Sequence, residues 1–211
     1  MSELVDFDVD KEVMRQAVGL LKLEPLAYTD PNDHKALSDC VKQAAVISDV
    51  HKMQLDDPEA LCKLALAVEQ WTIDFAFEEW AMSIFINKYM TAEERVNELY
   101  RYRAFMDVGP EAIDFPLYCI LKYNDRNDDD YPPQDIHAAA NIGLKIAQTH
   151  NITDLVNTYF CVEMLLVAGE NYMENPAYKP MQLYLKNPSL NPSQKVDESY
   201  IWLTANMADL E

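Results

Sequence analysis

Four carboxylates, Asp74, Glu78, Glu163 and Glu170, are the side chains most capable of chemistry, because they lie in or beside the two most apolar stretches of the chain. Asp74 and Glu78 stand four residues apart among Ile73, Phe75, Phe77, Trp80 and Ile84, so a helix would put them on one face, one turn beyond Gln70 and Trp71. Glu163 is surrounded by Val156, Tyr159, Phe160, Val162 and Leu166, and Glu170 follows two turns later. If both stretches are core helices, some of these carboxylates leave water, and a buried carboxylate needs a hydrogen-bond partner, a raised pKa or a metal. Acids converging from two helices could hold divalent ions and hydrolyse a substrate through an activated water.

The spacing of neighbouring residues argues against that chemistry. Di-iron bundles use Glu-x-x-His pairs, whereas the residues three before His34, His51, His137 and His150 are Pro31, Ser48, Gln134 and Ala147. Glu111-x-x-Asp114 is half of the paired acidic pattern of all-α pyrophosphohydrolases, with no Glu-x-x-Glu upstream. Asp125, Asn127 and Asp129 alternate as in a calcium loop, but Asp130 and Ile136 occupy the places of its glycine and its bidentate glutamate. The histidines form no cluster. Cys40, Cys62, Cys119 and Cys161 are widely spaced in apolar surroundings, as expected of reduced, buried small hydrophobes. Four glycines, Gly19, Gly109, Gly143 and Gly169, stand where average usage would supply about fifteen. Phosphate loops, dinucleotide fingerprints and nucleophile elbows need glycines at short fixed spacings, and none of those spacings occurs. No cofactor is called for.

Helices would carry these residues. Asp8 or Asp10 can cap a first helix ending near Leu23. Asp30-Pro31 signals a second, with Leu37, Cys40, Val41 and Ala44 at three-and-four spacing. Asp57-Pro58 opens the longest, to about Tyr89, and Thr91 with Glu94 makes a capping box for the next. Gly109-Pro110 ends that one, and Pro116 must kink or shorten its successor. Residues 123–133, with four aspartates and two prolines, read as an exposed loop. Helices resume over about 134–150 and 153–175, the latter capped by Thr153. Prolines break 176–192 into short pieces before a last helix over about 193–210. No segment alternates as a strand does. The expectation is one all-α domain over residues 1–211, an irregular helical bundle of about seven to eight helices.

Charge narrows the function. Thirty-six acids against seventeen bases give a formal charge of −19, spread along the chain rather than gathered in a tail. Such a field disfavours direct binding to nucleic-acid phosphates and anionic membranes and favours basic partners. The first residues lack the cationic and apolar regions of a signal peptide, and no apolar run reaches a membrane-spanning length, so a cytoplasmic location is expected. Interfaces are enriched in Tyr, Trp, Met and Arg. That points to Tyr100, Arg101, Tyr102 and Arg103, the one strong run of cations with aromatics, and to Tyr172, Tyr178 and Tyr184 in the proline-rich stretch, as partner-binding candidates. The leading reading is a non-enzymatic binding protein, an inhibitor, immunity protein, adaptor or assembly factor that docks a basic protein. Its sharper form is nucleic-acid mimicry, with carboxylates standing where phosphates would. Homo-oligomerisation stays open. The alternative is a divalent-metal-dependent hydrolase using Asp74, Glu78, Glu163 and Glu170.

Overall fold

A computed structural model describes residues 10–23, 30–50, 57–86, 91, 94, 108–126 and 131–206. Among the described residues the chain is all-α, with eight α-helices and no strand: α1 (Lys11–Leu21), α2 (His34–Val50), α3 (Pro58–Ile86), α4 (Phe115–Arg126), α5 (Pro133–Thr149), α6 (Leu155–Ala168), α7 (Lys179–Lys186) and α8 (Pro192–Asn206). Short 3-10 turns occupy Pro110–Ala112 and Pro176–Tyr178. None of these helices is long and apolar enough to cross a membrane. The backbone gathers into two compact units, one of Met1–Met106 and Glu111–Leu121 and one of Asp107–Pro110 and Lys122–Glu211.

In the first unit α1, α2 and α3 pack on one another, burying Ala17, Leu21, Leu37, Val41, Leu61 and Leu64. Aspartates start these helices. Asp10 accepts from the Glu12 N–H at 2.6 Å and Asp57 from the Glu59 N–H at 3.0 Å, as their positions before the apolar stripes predict. The second helix starts later than Asp30-Pro31 suggests. Asp30 closes a turn, its carboxylate accepting from the Asn32 N–H at 2.8 Å, and Asp33 caps α2 through the N–H groups of Lys35 and Ala36, both at 3.0 Å. Proline fits a turn as well as a first helical residue, and Asp33 is the acid nearer the buried stripe that begins at Leu37. The capping box is present, with the Thr91 N–H donating to Glu94 at 2.8 Å and the Glu94 N–H to the Thr91 hydroxyl at 3.2 Å. Most of the helix it would open falls outside the described residues.

Pro116 produces no kink, because α4 begins one residue before it, where a missing amide donor costs nothing. Asp114 caps that helix through the Leu117 N–H at 2.9 Å, and its own N–H reaches the Lys63 carbonyl at 3.1 Å. The expected loop is shorter than 123–133. α4 runs to Arg126, and Tyr123 is buried as the last apolar position of the Cys119, Ile120, Tyr123 series, its ring 5.8 Å from that of Tyr131. The aspartates beyond Tyr123 suggest a break four residues too early.

In the second unit α5 packs on α6, α6 on α8, and α7 on α8. α6 is capped by Asp154, not Thr153, through the Asn157 N–H at 2.9 Å. It stops at Ala168 rather than near residue 175. Gly169 takes φ +84°, a region that β-carbons penalise, and its N–H closes the helix onto the Leu165 carbonyl. The prolines divide the stretch between α6 and α8 as expected. Pro176 opens a 3-10 turn, and Pro180 lies in the first turn of α7.

The α5–α6 crossing is close because α5 presents Ala139, Ala140, Gly143 and Ala147 as buried residues. A β-carbon on Gly143 would sit 2.7 Å from Val162 Cγ2 and 3.1 Å from the Val162 backbone nitrogen. Gly143→Ala gains helix propensity yet forces the helices apart, so we expect a net loss of about 1–3 kcal/mol in chemical denaturation. Stability equal to or above that of the parent would show that the crossing yields easily.

Candidate functional site

Of the carboxylate quartet, Asp74 is held in a built polar site. It lies on α3 at 2% exposure. Gln70, one turn earlier, donates its amide to one carboxylate oxygen at 3.0 Å, and the Tyr118 hydroxyl from α4 donates to the other. Tyr118 is itself fully buried, with its ring 6.4 Å from that of Phe115. The three side chains join α3 to α4 within the first unit. Donors of this kind let a core carboxylate be kept without a metal.

Glu163 is buried on α6 in the second unit, Glu170 is exposed in the turn after Gly169, and the Glu78 side chain falls outside the described residues. Among the described residues no three His, Cys, Asp or Glu side chains are grouped to hold a metal ion. Glu111 is exposed on its 3-10 turn while Asp114 caps α4, so that pair is divided between solvent and a helix end. The side chains of Asp125 and Asn127 through Asp130 fall outside the described residues. The four cysteines are thiols rather than disulfides, and Cys62, Cys119 and Cys161 are buried. Burial, aided by Asp154, pushes the Cys161 thiol up to about 12, which leaves it inert as a nucleophile at neutral pH.

The aromatic candidates of the proline-rich stretch are used largely inside the protein. Tyr172 is 1% exposed, its phenol driven to higher pKa by burial first and by Cys161 second, so its ring offers no surface to a partner. Tyr178 lies between it and Trp202, edge to face with centroid separations of 6.4 and 6.5 Å. Gln182 pins the turn by donating to the carbonyls of Tyr172 and Asn175, both at 2.8 Å. Tyr184 is half-buried on α7. Tyr100, Arg101, Tyr102 and Arg103 lie outside the described residues.

Two buried lysines escape a reading of composition. Lys122 on α4 places its ammonium 5.3 Å from the centre of the Tyr159 ring, one turn before Glu163 on α6. Lys195 on α8 donates to the His150 carbonyl at 3.0 Å. The available signal is periodicity, since Lys195 shares the buried stripe of Val196, Ser199 and Leu203. Comparison with models of protein families, with characterised proteins and with solved structures finds no match for the chain.

Two measurements probe the quartet. Tyr118→Phe removes the hydroxyl donor from a buried carboxylate and should lower stability by about 1–3 kcal/mol in urea unfolding, whereas a change near zero would mean that Asp74 is held by other groups. The melting midpoint should stay fixed when EDTA, Mg²⁺ or Mn²⁺ is added. A native-state ligand at a hundred times its Kd would add about 2.7 kcal/mol, and a rise of that kind would revive the hydrolase.

Proposed function

We propose that this protein is an acidic binding module that recognises a basic protein by its field. The observation that carries the reading is where the charges lie. Of the carboxylates whose burial is described, only Asp74 and Glu163 are buried, and they are matched in number by Lys122 and Lys195. The negative surplus, nineteen charges over the whole chain, is therefore a surface property wherever burial is described. Three of the exposed or half-exposed cations, Arg15, Lys42 and Lys63, are held by acids on their own helices at 2.5, 3.2 and 3.6 Å. Such surface pairs add little stability, but they turn cations toward neighbouring acids and away from an incoming ligand.

The mechanism is steering followed by short-range docking. A negative surface raises the local concentration of a cationic protein and lifts its association rate, an advantage that salt removes. Several of the carboxylates are fixed at helix N-termini, so they meet a partner with little side-chain entropy left to lose. Nucleic-acid mimicry is the sharper form of the same reading, with the cleft of a nuclease or DNA-binding protein as the target.

The test is capture from nuclease-treated source lysate on immobilised protein, elution by a salt gradient, and rate measurements with whatever elutes. We expect one basic protein whose association rate falls by about tenfold or more between about 0.05 and 0.5 M salt. An empty column, or a partner whose association ignores salt, would end the proposal.

A further inference from the structure

The second unit leaves two charged helix faces on its surface, each with an aliphatic side chain at its centre. α7 turns Met181 and Leu185 inward, and its opposite side carries Lys179, Leu183 and Lys186 at the four-and-three spacing that lines one face of a helix. All three are exposed, Leu183 at 60%. α8 buries Lys195, Val196, Ser199 and Leu203, and its opposite side carries Asp197, Glu198 and Ile201, the last at 62% exposure. The first face is cationic around a leucine and the second anionic around an isoleucine. Both belong to one helical hairpin, since α7 packs on α8 and the Ser199 hydroxyl donates to the Met181 carbonyl at 3.4 Å.

Single aliphatic residues on a surface are ordinary, but the lysines around Leu183 are not. Of the second unit's lysines, Lys122 and Lys195 are buried and only Lys145, Lys179 and Lys186 are exposed, so two of the three stand on either side of one leucine in a chain of formal charge −19. Arg15, Lys42 and Lys63 are drawn to acids on their own helices, whereas among the described residues Lys179 and Lys186 make no ion pair. An occupant that fits both faces presents acids around an aliphatic side chain to α7 and bases around another to α8. Those are the patterns that α8 and α7 themselves carry.

We propose that the occupant is a second copy of this chain, with the Lys179–Leu183–Lys186 face of one copy on the Asp197–Glu198–Ile201 face of the other. Lysines then meet carboxylates around a Leu183–Ile201 contact. Each copy holds both halves of the match, so a two-fold axis makes the pairing twice, as an isologous interface does. Net charge opposes association of like chains. At about 0.15 M salt, fields between exposed charges fade over about 8 Å, so the side chains placed against one another decide the outcome and distant acids do not. The pairing needs no other protein and stands apart from the basic partner proposed above.

Sedimentation velocity on the purified full chain reads it directly. The mass should rise toward that of two chains between about 1 and 300 µM, as for a Kd in the micromolar range. Lys179→Glu with Lys186→Glu, and separately Asp197→Lys with Glu198→Lys, set like charges against each other and should each weaken the dimer by about tenfold or more. Mixed together, the two variants should pair again, because the reversed α7 of one faces the reversed α8 of the other while their two native faces still match. Damage to folding cannot produce that rescue. Should either reversal fail to fold, Leu183→Gln leaves every charge in place and should lower the affinity by about fivefold or more through lost apolar contact. A parent chain that stays monomeric over that range overturns the proposal, the two faces then belonging to a different protein. Growth past two chains, a dimer indifferent to both reversals, folded variants that fail to pair when mixed, or an unchanged affinity in Leu183→Gln overturns it equally.

Discussion

Carboxylate capping of helix N-termini organises this molecule. Asp10, Asp33, Asp57, Asp114 and Asp154 each place a side-chain oxygen on the first amides of a helix, five of the eight described. A cap is worth about 1 kcal/mol, and an acid there also meets the positive end of the helix dipole. In a chain with so large an excess of negative charge, self-repulsion opposes compaction. Capping converts part of that surplus into a reason to be helical. It also separates the acids, because helix starts are distributed along the chain rather than clustered.

What the acids cannot do is enter the core alone. Asp74 is admitted with Tyr118 and Gln70 around it, and the buried cations obey the same rule, Lys122 over an aromatic face and Lys195 on a carbonyl. Each of these sites joins two elements that are distant in sequence, so polar burial here specifies which of them meet. Apolar burial alone would be less exacting, since α3 and α6 carry apolar residues nearly all round.

The helices are legible in the sequence because their punctuation is local. Asp57-Pro58, the capping box at Thr91 and the prolines around α7 act within a few residues of themselves, and the structure places them as their chemistry requires. Misreadings arise where two signals compete at short range. Asp33 displaces Asp30, Asp154 displaces Thr153, and Gly169 ends a helix whose polar continuation looks tolerable. Tyr123 is masked by the aspartates after it. The candidate site is less legible for a different reason. Whether Asp74 faces Tyr118 depends on how two helices pack, and forty-four residues of separation leave no trace in local spacing. Tyr172 is a contact residue by type, yet the turn pinned by Gln182 folds it inward.

Interleaving of the two units constrains the order in which the molecule can be built. The chain passes between them at residues 106/107, 110/111 and 121/122, and the last of these passages lies inside α4. Residues 107–110 belong with the second unit, where the Val108 carbonyl accepts from the Leu155 N–H at 3.1 Å, although they are made before the first unit is complete. A ribosome releasing this chain from its N-terminus therefore cannot deliver one finished unit and then the other. The first lacks its closing segment until residue 121 has emerged, and the short piece that precedes it must wait some forty-five residues for its partner. Domains that fold as separate units can do so one after another during synthesis. Here the chain crosses between the units three times, so that a truncation anywhere between residues 107 and 155 leaves at least one of them with a missing part.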